Sequence, residues 1–251
     1  MQVSDSRSTG DFFKGLEIEM KVMGELVENS KAIKLNIISA IDDSGKNLLR
    51  DDYKSEYTFF KNHDGSGQTI KIKLKNPYRK STIIKELKGN IIFFMPQNDY
   101  SSIVEINNFL EKSGSNIFSK ATDNGILKIT LLTKDDYEKF KNSKEKEIEN
   151  ETGKIGKCIY EAFKSLFGSF TSVDENSVIM NIQDKMGKII FIEFLSPEGP
   201  IIRHSGKTTI NDIRIFDFEE KLDKKSTLKI YSETNDSLYT YPLNVTDIVL
   251  P

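Results

Sequence analysis

The sequence predicts an all-β protein: two immunoglobulin-like β-sandwich modules joined by a helical connector. Apolar and polar residues alternate over short segments in both halves of the chain, as they do in half-buried strands. Turn residues separate these segments at a spacing typical of antiparallel sandwiches. One helical pattern, over residues 133 to about 170, divides the two β-rich stretches. The predicted parts are an N-terminal sandwich (12–133), a connector (134–170) and a C-terminal sandwich (171–251).

The first module contains seven or eight predicted strands. In the first strand, Leu16, Ile18 and Met20 face one side, and Gly24 ends the pattern. A continuously apolar run after Gly89 is typical of a central strand. The remaining predicted strands cover residues 32–39, 53–60, 70–74, 83–87, 90–95, 103–106 and 126–132, with a turn at 42–47 that offers Gly45 for positive φ.

The connector begins with a capping pattern in which Thr133 precedes Asp136 by three residues. Residues 134–150 form a charged, mostly solvated helix. Beyond two glycines, an apolar face at helical spacing predicts packing against a sheet. Its residues are Ile155, Ile159, Ala162, Phe163, Leu166 and Phe167.

The second module repeats the strand pattern. Its predicted strands cover residues 177–183, 188–195, 200–204, 208–218, 227–232 and 238–250. Turn residues at 184–187 and 197–200 indicate hairpin-type connections.

Composition argues against several classes of function. With 36 basic and 38 acidic residues, the net charge of -2 provides no field that would attract nucleic acid. Cys158 is the only cysteine, which excludes an intrachain disulfide and indicates a small core residue. No apolar run reaches the length of about 18 residues that crosses a bilayer. Residues 1–10 are polar, as expected of a cytoplasmic protein or of a chain that has lost a leader.

Few residues suit catalysis or metal binding. His63 and His204 are the only histidines and fall in different modules, so neither a catalytic triad nor a zinc site is expected. No phosphate-binding loop or nucleophile motif is present. Oxygen-bearing side chains in residues 62–68 alternate around glycines, which leaves a weak cation site open. We therefore predict no catalytic residues, no cofactor and no bound metal.

A basic segment is the most distinctive charge feature. Residues 71–88 carry one acidic side chain among many basic ones, a pattern that suits an anionic glycan or an acidic protein surface. Lysine rows also protect sheet edges from aggregation, so both interpretations stay open. The predicted ligand patch consists of Lys71, Lys73, Lys75, Tyr78, Arg79, Lys80 and Lys85.

Exposed aromatic side chains would indicate carbohydrate binding. Tryptophan is absent, and Tyr231, Tyr239 and Tyr241 are the tyrosines that suit this role. Tyr239 and Tyr241 share one face of a predicted strand, either in the core or at its rim.

Five pieces of the chain resemble an uncharacterised family of two-domain proteins found in planctomycete-like bacteria. They are AIDDSGKNLL (40–49), KNPYRKSTIIKELKG (75–89), LFG (166–168), YPL (241–243) and DIVLP (247–251). The resemblance covers nearly the whole chain and implies exported β-sandwich modules without an assigned activity.

The sequence thus predicts a non-catalytic, extracytoplasmic binding or structural module. Its expected partner is a protein or an anionic glycan surface, not nucleic acid. Two alternatives remain: a carbohydrate-binding or calcium-dependent glycan-associated protein, and a cytoplasmic protein-interaction module. Without a removed leader the expected compartment is the cytoplasm.

Overall fold

The computed structural model describes residues 2–4, 15–60, 67–122, 125–143 and 173–250. Its described part is mostly β-strand, and the prediction of an all-β protein is confirmed. The strands are β1 (Gln2–Ser4), β2 (Leu16–Val22), β3 (Ala32–Asp42), β4 (Tyr57–Phe59), β5 (Gln68–Leu74), β6 (Ile83–Phe94), β7 (Ile103–Ile106), β8 (Asn116–Thr122), β9 (Gly125–Leu132), β10 (Ser177–Gln183), β11 (Ile189–Leu195), β12 (Ile201–Ile202), β13 (Gly206–Ile210), β14 (Ile213–Asp217), β15 (Thr227–Ser232) and β16 (Leu238–Val249). The helices are α1 (Glu25–Glu28) and α2 (residues 134–143), with 3₁₀ turns at Pro96–Asn98, Tyr100–Ser102 and Phe109–Lys112.

The chain divides into two compact units. Unit 1 combines Met1–Ser102 with Glu233–Pro251, and unit 2 is Ile103–Ser232. These units differ from the predicted modules, because β9 pairs with β10 and β16 pairs with β6. The strands at 103–132 therefore lie in unit 2, and the last strand returns to unit 1. The alternation within a strand shows which face is buried, but it does not show which distant strand is its neighbour.

Unit 1 is a β-sandwich-like pair of antiparallel sheets. The three-stranded sheet has the order β1-β2-β5, and the four-stranded sheet has the order β16-β6-β3-β4. Both sheets contribute apolar side chains to one core, because the predicted alternation places one face of each strand inward. Leu16, Ile18 and Met20 of β2 are buried in it, as predicted.

Strands β3 and β6 approach each other closely at Gly89, in the middle of the four-stranded sheet. The sequence predicts separate strands on either side of Gly89, but β6 runs continuously through this residue. A β-bulge between Ile37 and Ser39 of β3 lies opposite it. A Cβ atom on Gly89 would lie 2.2 Å from the carbonyl oxygen of Asn36, so the strand pairing here requires glycine.

Unit 2 is also a β-sandwich-like pair of antiparallel sheets, with the orders β13-β14-β10-β9-β8 and β12-β11-β15-β7. The two sheets share a core in which the rings of Phe194 and Phe216 meet edge to face at 5.1 Å. The predicted strand at 208–218 is two strands, because Asn211 takes a left-handed conformation (φ 52°) and forms a hairpin. The sequence prediction also missed β8.

The predicted capping pattern of the connector is confirmed. The Thr133 hydroxyl accepts a hydrogen bond from the Asp136 N–H at 3.1 Å, and the Asp136 carboxylate accepts one from the Thr133 N–H at 3.2 Å. Tyr137 of α2 packs with Ile179 and Ile215 on the five-stranded sheet. The predicted apolar face at 155–167 and Cys158 lie outside the described residues.

Candidate functional site

The predicted lysine row lies on the exposed face of β5, opposite carboxylates of β2. Lys71 pairs in register with Glu19, and Lys73 pairs with Glu17. The Lys71 ammonium lies 2.7 Å from a carboxylate oxygen of each glutamate. The hydrogen bonds to Glu17 and Glu19 raise the pKa of Lys71, so its charge is permanent but locally compensated. The alternation of Glu17 and Glu19 in the sequence is the signal that would have predicted this pairing.

The rest of the predicted patch is dispersed. Lys75 forms an ion pair with Asp51 at 2.8 Å. Tyr78 is 58% exposed and lies beneath the ammonium of Lys46, which is 4.8 Å from its ring centroid. Residues 79 and 80 are exposed in the following turn. Lys85 lies on β6, in the other sheet of unit 1. The structure thus keeps only Lys71, Lys73 and Lys75 in one row.

A buried carboxylate holds the turn after β5 in place. One oxygen of Asp42 accepts hydrogen bonds from Ser44 (N–H 3.0 Å, hydroxyl 2.6 Å) and from the Lys46 N–H at 2.8 Å. The other oxygen accepts from the Ser81 hydroxyl at 2.9 Å and the Tyr78 N–H at 3.3 Å. Burial alone would raise the pKa of the Asp42 carboxyl, but these hydrogen bonds lower the pKa to about 2.

The neighbouring Asp43 reinforces the same contact. Its carboxylate accepts hydrogen bonds from the N–H and the hydroxyl of Thr82, at 3.0 and 3.1 Å. The two aspartates therefore join residues 40–49 to residues 75–89, the two longest pieces of the family resemblance. Because protein donors occupy both oxygens of the buried Asp42 carboxylate, this residue is a structural anchor.

A groove in unit 1 runs between the edge strand β5 and the segment that leads into β4. It encloses about 470 Å³. We call it the β5 groove; it is lined by Leu35, Arg50, Asp52, Tyr53, Lys54, Glu56, Thr58, Ile70, Lys71, Ile72 and Lys73. Two residues of the predicted patch, Lys71 and Lys73, thus line the cavity. The sequence predicted a strand over 53–60, but only Tyr57–Phe59 is strand, so the wall that residues 50–56 form opposite β5 was missed.

The wall opposite β5 is fixed by a tyrosine. The Tyr53 hydroxyl donates a hydrogen bond to the Leu35 carbonyl at 2.6 Å and accepts one from the Ile37 N–H at 3.1 Å. The Ser55 hydroxyl also donates to the Leu35 carbonyl, at 2.6 Å. These side chains pair with the edge of β3 beyond β4 and hold the segment 53–58 at a distance from β5.

Positive charge exceeds negative charge among the unpaired side chains of the groove. Arg50 and Asp52 form a bidentate pair with distances of 2.8 and 2.9 Å. Within the described residues, Lys54, Lys73 and Glu56 have no ion-pair partner. The charge of Lys54 also contributes to the lowered pKa of Asp52, but the lining as a whole carries four cations and two carboxylates, which favours an acidic ligand.

The other candidate residues are not gathered into a site. His63 lies outside the described residues, as does most of the proposed cation loop at 62–68. His204 is exposed in unit 2, and its ring meets Phe216 edge-on at 5.5 Å. Partial desolvation, with the charge of Lys207, lowers the pKa of His204. No group of three or more His, Cys, Asp or Glu side chains in the described part of the chain could hold a metal ion.

The predicted tyrosines differ in exposure. Tyr231 is buried on β15, where its ring stacks on Phe191 at 4.0 Å and its hydroxyl donates to Glu193 at 2.8 Å. Tyr239 and Tyr241 of β16 are 46% and 52% exposed at the rim of unit 1. Only the last two are accessible to a ligand.

No family model, no curated protein and no solved structure matches the chain. The resemblance to the planctomycete-like family therefore stays a prediction. No helix in the described residues is long and apolar enough to span a membrane.

Proposed function

We propose that the chain is a non-catalytic binding module that acts outside the cytoplasm, and that unit 1 binds its ligand in the β5 groove. The groove itself carries this proposal, because four cationic and two carboxylate side chains line one cavity. Leu35, Ile70 and Ile72 are buried in the core behind the groove, while Lys54 and Lys73 add positive charge beside the ion pairs of Arg50 and Lys71. Six of the eleven residues that line the groove are charged, which suits a charged, polar ligand.

The excess of positive charge in the lining favours an acidic ligand, either a protein surface or an anionic glycan. Exposed charges attract such ligands over a Debye length of about 10 Å at 0.1 M salt. Binding should therefore weaken as the salt concentration rises. Arg79 and Lys80 carry equal charge outside the groove, so they provide a matched control.

Three further parts of the proposal concern architecture, chemistry and location. The two units are immunoglobulin-like domains, consistent with their paired antiparallel sheets. The chain is not an enzyme and needs no cofactor. We include export in the proposal because the family resemblance implies exported modules.

The test compares two double variants of equal charge. Lys54→Ser with Lys73→Ser removes the free groove cations, and Arg79→Ser with Lys80→Ser removes two cations from the neighbouring turn. Each protein is titrated with heparin and with the strongest binders from a display library of short random peptides. We expect the groove variant to lose affinity by about tenfold or more, and the turn variant to behave as the native chain.

Three results would contradict the proposal. Binding that survives in the groove variant would place the ligand elsewhere. Failure of the native chain to bind either probe would remove the binding function. A hydrolytic activity that disappears on changing His204 would show that the protein is an enzyme.

A further inference from the structure

The β5 groove adjoins a strand edge that has no strand partner in the described chain. β5 pairs with β2 on one side, and the three-stranded sheet ends there. An unpaired edge offers backbone N–H and C=O groups to another extended chain. We propose that an acidic, extended segment of another protein binds in the groove as an added strand of this sheet; this inference rests on the proposed function.

The direction of the backbone groups supports strand addition. Lys75 donates its N–H to the Leu48 carbonyl at 2.7 Å, on the side of β5 away from β2. Alternate residues of an antiparallel strand direct their backbone groups to the same side. Lys71 and Lys73 therefore direct their N–H and C=O groups into the groove, while Ile70 and Ile72 bond to β2.

The Lys75–Leu48 bond also sets one end of the site. It closes the gap between β5 and the turn segment, so an added strand stops before Lys75. Residues 70–73 of β5 line the open stretch. At about 3.3 Å per residue, this stretch accommodates roughly four residues of ligand.

The two faces of an added strand would meet different surfaces of the protein. An added strand would direct alternate side chains towards the partly buried ring of Tyr53, which favours apolar residues at those positions. The intervening side chains would lie beside Lys73 on the exposed face. Because Glu17 and Glu19 already compensate Lys71, one acidic side chain beside Lys73 fits this face best.

A backbone-directed experiment distinguishes strand addition from binding through side chains alone. Peptides selected from a display library on the native protein are synthesised with single N-methyl groups at successive positions. N-methylation removes one donor and obstructs one strand edge. We expect the affinity of the peptide to fall about tenfold when alternate positions are methylated, and to stay unchanged when the intervening positions are methylated.

Variants of Lys73 test the same contact on the protein. Lys73→Pro removes a groove-facing N–H without removing a bond to β2, and proline is tolerated on strand edges in this orientation. We expect it to weaken peptide binding more than Lys73→Ala, which retains the N–H. Thermal unfolding of each variant checks that unit 1 remains folded.

Three outcomes would overturn the inference. The first is that N-methylation is tolerated equally at every peptide position. The second is that Lys73→Pro and Lys73→Ala, both folded, weaken peptide binding equally. The third is that the native protein binds heparin but binds none of the peptides. The last outcome would leave the proposed binding function intact. Absence of binding by both heparin and peptides would remove the proposed function itself.

Discussion

The Asp42 carboxylate accepts hydrogen bonds from four residues and is fully buried. Asp42→Ala would leave the donors of Ser44 and Ser81 without their acceptor. We expect a loss of about 2–3 kcal/mol in the free energy of unfolding, measured by urea denaturation, because orphaned buried donors are costly. Asp51→Ala, at a side chain that is 95% exposed, is the control and should change stability little. Equal losses would show that Asp42 is not the anchor.

The low pKa of Asp42 also predicts a pH dependence. Its folded pKa is about 2, against an ordinary value of 3.8, so ionised Asp42 stabilises the fold above pH 3.8. This contribution decreases as the pH falls from 3.8 towards 2. The difference in unfolding free energy between the native chain and Asp42→Ala should therefore narrow across that interval. A constant difference down to pH 2 would contradict the assignment.

At the scale of elements, local patterns predicted more than long-range geometry. The alternation in β2 and β5, and the Thr133–Asp136 cap, follow from neighbouring residues and were predicted. The continuity of β6 through Gly89 depends on a bulge in β3, which no local pattern shows. The β5 groove also depends on contacts between distant residues, since the Tyr53 hydroxyl holds the segment 50–58 against Leu35 of β3.

The cap of α2 provides a test at this scale. Thr133→Ala removes the hydroxyl that accepts from the Asp136 N–H at 3.1 Å. We expect a loss of about 1 kcal/mol in the stability of unit 2, measured by denaturant unfolding, because the first turn of the helix loses an acceptor. Thr133→Ser retains the hydroxyl and should restore most of the stability. Equal losses for both variants would show that the methyl group, not the cap, matters.

At the scale of the whole molecule, the division into units departs most from the sequence prediction. The predicted boundary near residue 133 followed the change from strand to helix patterns. The pairings of β9 with β10 and of β16 with β6 cross that boundary, and such pairings depend on tertiary packing. The candidate site was predicted only in part. Lys71 and Lys73 lie on a regular strand and were predicted, but Lys54 and Glu56 precede β4, and their place in the groove depends on tertiary packing.

A core variant near the C-terminus tests which unit contains β16. Leu243 and Ile248 are buried in the core of unit 1. Leu243→Ala should cost about 2–5 kcal/mol and accelerate hydrogen exchange in β6 rather than in β10. Asn244→Ala, at an exposed position of the same strand, is the control. Faster exchange in β10 alone would favour the modules predicted from the sequence.

The most direct test of the β5 groove is hydrogen exchange of individual β5 amides, followed by NMR, with and without a selected acidic peptide. In the free protein, the amides of Ile70 and Ile72 should exchange slowly, because they bond to β2, and those of Lys71 and Lys73 should exchange fast. Bound peptide should protect Lys71 and Lys73. Fast exchange at both lysines in the saturated complex would contradict ligand binding along this edge.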